Sequence, residues 1–278
     1  MRERVLAVAP SNVLYKFHSL DSFLAEAVRC GCGTIELWGG APHLDIEAAT
    51  PADLKELRRR LAELELRVCC LTPETGLYPV NIASNDPVLR QRSEIYAMKS
   101  LEAAAELQAP IMQVTSGTGY YDRPAEEAWR RSADFLSRLS HRADKLGIRL
   151  ALEALPVHES NLVRDAASLR RMLDEVGQPS LGALLDTSTA AALSESPDDY
   201  IRLLGAERIA HIQLVDGPGG HLAWGDGTLP LADYLASIRA AGYAGSLGLE
   251  LFDHKYYVDP APVLRRAAGA LSEALQPA

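Results

Sequence analysis

Short apolar runs alternate with amphipathic stretches along the chain, and the two periods separate strands from helices. Runs at residues 4–9, 33–38, 66–71, 110–114, 148–153, 181–186, 208–214 and 246–252 are apolar almost throughout, the pattern of parallel strands covered on both faces. Between them, apolar residues recur at helical spacing. Leu54, Leu57, Leu61 and Leu64 form one such stripe, preceded by Thr50-Pro51-Ala52-Asp53, with a capping threonine, proline in the first turn and an acid three residues after the cap. Further helices are expected over residues 20–30, from Asp86-Pro87 to 107, from about Pro124 to Gly147, over 166–176 and 198–204, from Pro230 to Gly242, and after Asp259-Pro260. Eight strand-helix units with no linker between them predict one domain over residues 1–278, a single (β/α)8 TIM barrel of the α/β class. A doubly wound open sheet is the competing architecture, but no GxGxxG turn follows the first strand.

Composition narrows the function. The chain has 278 residues, 47% of them hydrophobic and 23% charged, and no apolar run approaches the roughly 20 residues of a membrane span. Only five apolar residues stand between the charged start and Pro10, too few for a signal peptide, so a cytoplasmic protein without a membrane partner is expected. A formal net charge of −9 argues against nucleic acid, whose binders display basic surfaces. Cys30/Cys32 and Cys69/Cys70 lack the spacing of a zinc knuckle and read as reduced core thiols.

The candidate chemistry lies at strand ends. In these barrels the C-terminal ends of the strands build the reactive face. Glu153, Asp186, Gln213 and Glu250 fall there on four successive strands, and three ionised acids in one mouth repel unless a cation joins them. These four are the expected ligands of one divalent metal. Oxygen ligation favours Mn²⁺ first, with Mg²⁺ or Co²⁺ behind it; His211 shares the strand face of Gln213, and its ligation would shift the preference toward Zn²⁺, Co²⁺ or Ni²⁺. Strands neighbouring in a closed eight-stranded barrel lie about 45° apart, so Glu153 and Glu250 stand about 135° apart and flank a bound substrate. A metal chelating a ketone and its neighbouring hydroxyl acidifies the C–H between them, and one glutamate removes a proton from one face while the other returns one to the opposite face. The outcome is epimerisation through an enediolate; an aldose–ketose isomerase could use the same parts.

Several ordered segments carry a resemblance. Residues Ile35-Glu36-Leu37-Trp38-Gly39-Gly40-Ala41-Pro42-His43, Thr72-Pro73-Glu74-Thr75, Leu152-Glu153-Ala154-Leu155, Glu159-Ser160-Asn161, His211-Ile212-Gln213-Leu214-Val215-Asp216, Gly225-Asp226-Gly227 and Leu249-Glu250-Leu251 resemble the xylose-isomerase-like sugar isomerase and epimerase superfamily, most closely its fructoselysine 3-epimerase type. The resemblance implies metal ligands at Glu153, Asp186 and Glu250, with Gln213 where the family usually has histidine. It also implies acid/base roles for Glu153 and Glu250, a hydroxyl-binding role for Glu159, and a homo-oligomer. Thr189 stands where keto-sugar 3-epimerases carry a substrate-contacting histidine, and the loop Gly217-Pro218-Gly219-Gly220 lacks their arginine, which points to a larger or decorated sugar such as a fructosamine. Trp38, His43, Tyr78, His211, His221 and Trp224 are candidate substrate contacts. The competing functions are a metal-dependent dehydratase or lyase on the same barrel and a sugar-binding subunit with a degenerate site.

Overall fold

The computed structural model describes residues 6–75 and 80–276. Arg4 and Val5 of the first expected strand, and Tyr78 among the expected contacts, lie outside the described residues.

Eight parallel strands form the sheet: β1 Ala7–Pro10, β2 Thr34–Gly39, β3 Arg67–Pro73, β4 Ile111–Thr115, β5 Arg149–Glu153, β6 Leu181–Asp186, β7 Ile209–Gln213 and β8 Ser246–Leu249. They pair in the order β1-β8-β7-β6-β5-β4-β3-β2, and a parallel bridge between Ser11 and Glu36 brings the two ends together. Around them pack α1 Leu20–Arg29, α2 Pro51–Glu63, α3 Pro87–Glu106, α4 Glu126–Leu146, α5 Ala166–Val176, α6 Thr187–Ala192, α7 Pro197–Leu204, α8 Leu231–Ala240 and α9 Pro260–Ala274. The protein is a (β/α)8 TIM barrel.

Local chemistry accounts for the helix ends. Thr50 and Asp53 exchange side-chain-to-backbone hydrogen bonds at the start of α2, and Gly147 ends α4 with φ 70, a left-handed conformation that glycine adopts without a Cβ clash. Asp259 precedes α9 without a capping bond from its side chain, so there the fixed φ of Pro260 starts the helix. The main core lies between strands and helices, where Phe23, Leu101, Met112, Phe135 and Leu139 are fully enclosed. Each such side chain stabilises the fold by about 1.5–3 kcal/mol relative to exposure. Inside the barrel a smaller cluster of Ala151, Leu184 and Ala210 lies below the reactive mouth: Ala151 and Leu184 share the strand faces of Glu153 and Asp186 two residues on. The four cysteines are free thiols, and burial pushes those of Cys32 and Cys69 up to about 12, which keeps them protonated and unreactive.

Two elements differ from expectation, and both shape the mouth. β8 stops at Leu249 rather than 252, because the chain then turns to the loop after β7, where the Phe252 N–H donates to the His221 carbonyl at 3.0 Å. Glu250 is therefore the first residue beyond the strand. The short helix α6 follows β6 directly, with Asp186 as its cap. Its opening Thr-Ser-Thr has low helix propensity and no apolar stripe, so tertiary contacts rather than local preference make it helical.

Candidate active site

Strand register sets the acidic ends around one side of the mouth, with Glu153 opposite Leu184, two residues before Asp186. Asp186 pairs with Gln213, Gln213 with Gly248 and Thr115 with Glu153. Asp186 accepts the Thr189 N–H on Oδ1 at 2.7 Å, and its enclosed Oδ2 has no hydrogen bond among the described residues. Gln213 donates through Nε2 to Glu36 Oε1 at 2.7 Å, and its enclosed Oε1 is likewise unmatched. Two neighbouring buried oxygens without donors cost about 1–3 kcal/mol each, and both are cation-ligating atoms. Glu153 is buried and accepts a hydrogen bond from the Gln113 amide; Glu250 keeps 14% of its side chain exposed.

His221 enters this group from the loop after β7. Its Nδ1 lies 3.1 Å from the Glu250 carbonyl, 3.4 Å from Glu250 Oε2 and 3.9 Å from Asp186 Oδ2. Asp186, His221 and Glu250 each offer a ligand atom within 4.8 Å of the others. The donor set thus fits a divalent ion: two orphaned oxygens, two further carboxylates and an imidazole at the edge.

Electrostatics agree with the geometry. Burial, and next the charges of Glu250 and Asp186, push the Glu153 carboxyl well above the usual carboxylate range. Burial, then Glu36 and Asp186, do the same to Glu250. In the protein alone these groups favour their protonated forms, and a divalent cation would reverse that preference.

A cavity of about 560 Å³ opens above these residues, within the range of small-molecule sites. Trp38, Glu74, Gln113, Glu153, Glu159, His221, Glu250 and Phe252 line it. Trp38 donates through Nε1 to Glu74 Oε2 at 3.1 Å, fixing the indole as a wall. Glu159 stands at the rim, its carboxyl raised chiefly by burial, with His158 Nε2 at 3.4 Å. Three expected contacts sit elsewhere. His211 is fully enclosed beneath the site, with Nε2 2.8 Å from Glu36 Oε2. His43 braces the first two loops between Asn12 Nδ2 at 2.9 Å and the His18 carbonyl at 2.8 Å. Trp224 is buried and donates through Nε1 to the Leu214 carbonyl at 3.0 Å. Gln113 is absent from the residues expected from sequence, although a polar side chain between Met112 and Val114, in the middle of a buried strand, is a usable signal.

Asp216 organises the loop that carries His221. Its carboxylate accepts backbone N–H groups from Gly217 at 2.8 Å, Gly225 at 3.1 Å, Gly227 at 2.9 Å and Leu229 at 2.9 Å. Gly227 must lack a Cβ, which would stand 2.4 Å from Asp216 Oδ1. Asp216→Ala is expected to lower the unfolding free energy by about 3 kcal/mol, since it strands donors that a buried carboxylate satisfies. Urea denaturation measures this, and a loss below about 1 kcal/mol contradicts the bracing role.

A family model described as xylose isomerase-like TIM barrel matches residues 24–274. The chain belongs to that family. Among its relatives, fructoselysine 3-epimerase of Escherichia coli O157:H7 is 29% identical over 235 residues, covering 84% of this chain and 85% of the relative. L-ribulose 3-epimerase of Methylomonas sp. (strain DH-1) is 26% identical over 239 residues, 85% of this chain and 79% of the relative. Among solved structures, an L-ribulose 3-epimerase superposes with a TM-score of 0.82 at 22% identity, covering 97% of this chain and 94% of its own, a likeness of fold. The relatives named here are sugar epimerases, which are enzymes of the isomerase type. Among the described residues, no helix is long and apolar enough to cross a membrane.

Proposed function

We propose that this xylose isomerase-like barrel is a divalent-metal-dependent sugar 3-epimerase whose substrate is a keto-sugar conjugate, a fructosamine being the best fit. The observation that carries the reading is the pair of enclosed, unmatched oxygens, Asp186 Oδ2 and Gln213 Oε1, set with Glu153 and Glu250. Glu153, Asp186, Gln213 and Glu250 would hold the ion, with Mn²⁺ the first choice for an oxygen set and Mg²⁺, Co²⁺ or Ni²⁺ the alternatives. Such an ion polarises a carbonyl and its neighbouring hydroxyl and offsets the charge that develops on them.

The remaining work falls to side chains. Glu153, oriented by Gln113, and Glu250, beside His221, exchange the proton on opposite faces of the carbon next to the carbonyl. Glu159 receives the sugar hydroxyls, and Trp38, fixed by Glu74, walls the ring. Among the described lining residues there is no lysine or arginine, while Glu74, Glu153, Glu159 and Glu250 are present. A phosphorylated sugar finds no lysine or arginine there to pair with its phosphate, whereas the ammonium of a fructosamine is favoured by the glutamates.

The test is turnover, followed by NMR, of a fructosamine and of free ketohexoses by protein stripped with EDTA and then reloaded with Mn²⁺. A C3 epimer of the fructosamine, formed with Mn²⁺ and absent without it, is the expected result. No turnover of any ketose or fructosamine contradicts the proposal, and an ultraviolet band of an unsaturated product would assign a dehydratase instead.

A further inference from the structure

Beneath the mouth lies a polar cluster centred on Glu36, a residue that the chemistry above does not use. Glu36, in the middle of β2, is wholly buried inside the barrel. It accepts hydrogen bonds from Thr72 Oγ1 on β3 at 2.7 Å, from Gln213 Nε2 on β7 at 2.7 Å and from His211 Nε2 at 2.8 Å. Gly248 on β8 leaves the space it occupies: a Cβ there would stand 2.1 Å from Glu36 Oε2.

The Gln213 amide turns its nitrogen to Glu36 Oε1, the same oxygen that takes the Thr72 hydroxyl, and the other carboxylate oxygen faces His211. The amide oxygen then points away, next to Asp186, and is the enclosed Oε1 without a donor. Reversing the amide would set two oxygens together at Glu36 and direct the NH₂ group at the place a cation would take.

We infer that Glu36 is a positioning residue: from β2 it fixes the amide of Gln213 so that a carbonyl oxygen, and not a nitrogen, forms the fourth corner of the metal centre. Where a histidine ligand has its tautomer set by a partner, glutamine needs its flip set, and Glu36 supplies that constraint. The inference rests on the metal reading above.

The test is a double-mutant cycle read by Mn²⁺ affinity, from the free-ion electron paramagnetic resonance signal of full-length, EDTA-stripped protein. Glu36→Gln is expected to weaken Mn²⁺ binding about 10–100-fold, the usual effect of losing a residue that orients a ligand. In a Gln213→Leu background the same change should cost less than about threefold, because Glu36 acts through the amide. Equal losses in both backgrounds would assign Glu36 a general electrostatic effect and overturn the inference. Unchanged affinity in Glu36→Gln overturns it as well. Far-UV circular dichroism verifies folding, and Glu36→Asp, which withdraws the carboxylate from the Gln213 amide without removing its charge, should reproduce the loss if Glu36→Gln does not fold. A parent protein that binds Mn²⁺ normally separates failure of this inference from failure of the metal reading; a parent that binds none overturns both.

Discussion

Glu250→Gln is expected to lower turnover about 10³-fold or more and, at the same time, to make the metal-free protein more stable. The first effect follows from removing one of the two proposed proton-transfer groups, since such groups commonly contribute about 10²–10⁴-fold each. The second follows from where Glu250 sits. Burial, then the charges of Glu36, Asp186, Glu74 and Glu159, oppose its ionisation, so above its raised pKa the folded chain carries a repelled charge that glutamine lacks. Relief of about 1–2 kcal/mol raises the melting temperature by about 2–4 °C in a chain of this size. Scanning fluorimetry in EDTA at pH 8 measures the gain, which should vanish near pH 5, where the parent carboxyl is already protonated. A variant less stable than the parent at pH 8 would show that the charge is compensated within the protein. The combination of lost activity and gained stability separates a functional acid from a structural one.

Removing the metal should expose the same conflict as a pH dependence. Glu153 and Glu250 have folded pKa values raised well above their ordinary 4.5, so between 4.5 and the raised values the folded state binds more protons than the unfolded one. That stabilisation is complete below about 4.5 and is lost as pH rises through the folded values. EDTA-treated protein should therefore lose stability from pH 5 to 8. Mn²⁺ at about 100 times its dissociation constant should restore about 2.7 kcal/mol, and the midpoint should rise more at pH 8 than at pH 5, because the ion competes with protons for the same oxygens. A stability profile flat from pH 5 to 8 in EDTA, or a shift with Mn²⁺ independent of pH, would mean that these carboxyls are not the ones the ion joins.

Much of this was legible in the sequence because burial and chain geometry act locally. A parallel strand covered on both faces must be apolar, so eight apolar runs separated by capped amphipathic helices already specify the barrel, and the acids closing β5 and β6 locate its mouth. The capping pair Thr50 and Asp53 acts within one turn and is found as read. Contacts that depend on side chains meeting across the barrel are less accessible. His211 lies two residues before Gln213 on the same strand, and only the depth of the barrel decides that it meets Glu36 below rather than substrate above. Trp224 reads as an aromatic in a mouth loop, yet the turns that Asp216 gathers fold its indole inward. His221 gains its place beside Asp186 and Glu250 because β8 ends early and Phe252 binds the His221 carbonyl, neither of which has a periodic signature. Helix α6 was hidden for a related reason, since Asp186 caps it while standing among the acids.

Solvent deuterium incorporation distinguishes the proposed proton exchange between two opposed glutamates at a metal-dependent site from other routes to the epimer. Mn²⁺-loaded protein is mixed in D₂O with a fructosamine, and substrate and epimer are examined by NMR early in the reaction. Two opposed groups predict an epimer carrying deuterium at C3 while the remaining substrate keeps its protium, with no exchange in EDTA. An epimer that retains protium at C3, or exchange that persists without metal, would rule out two opposed glutamates working at a metal-dependent site.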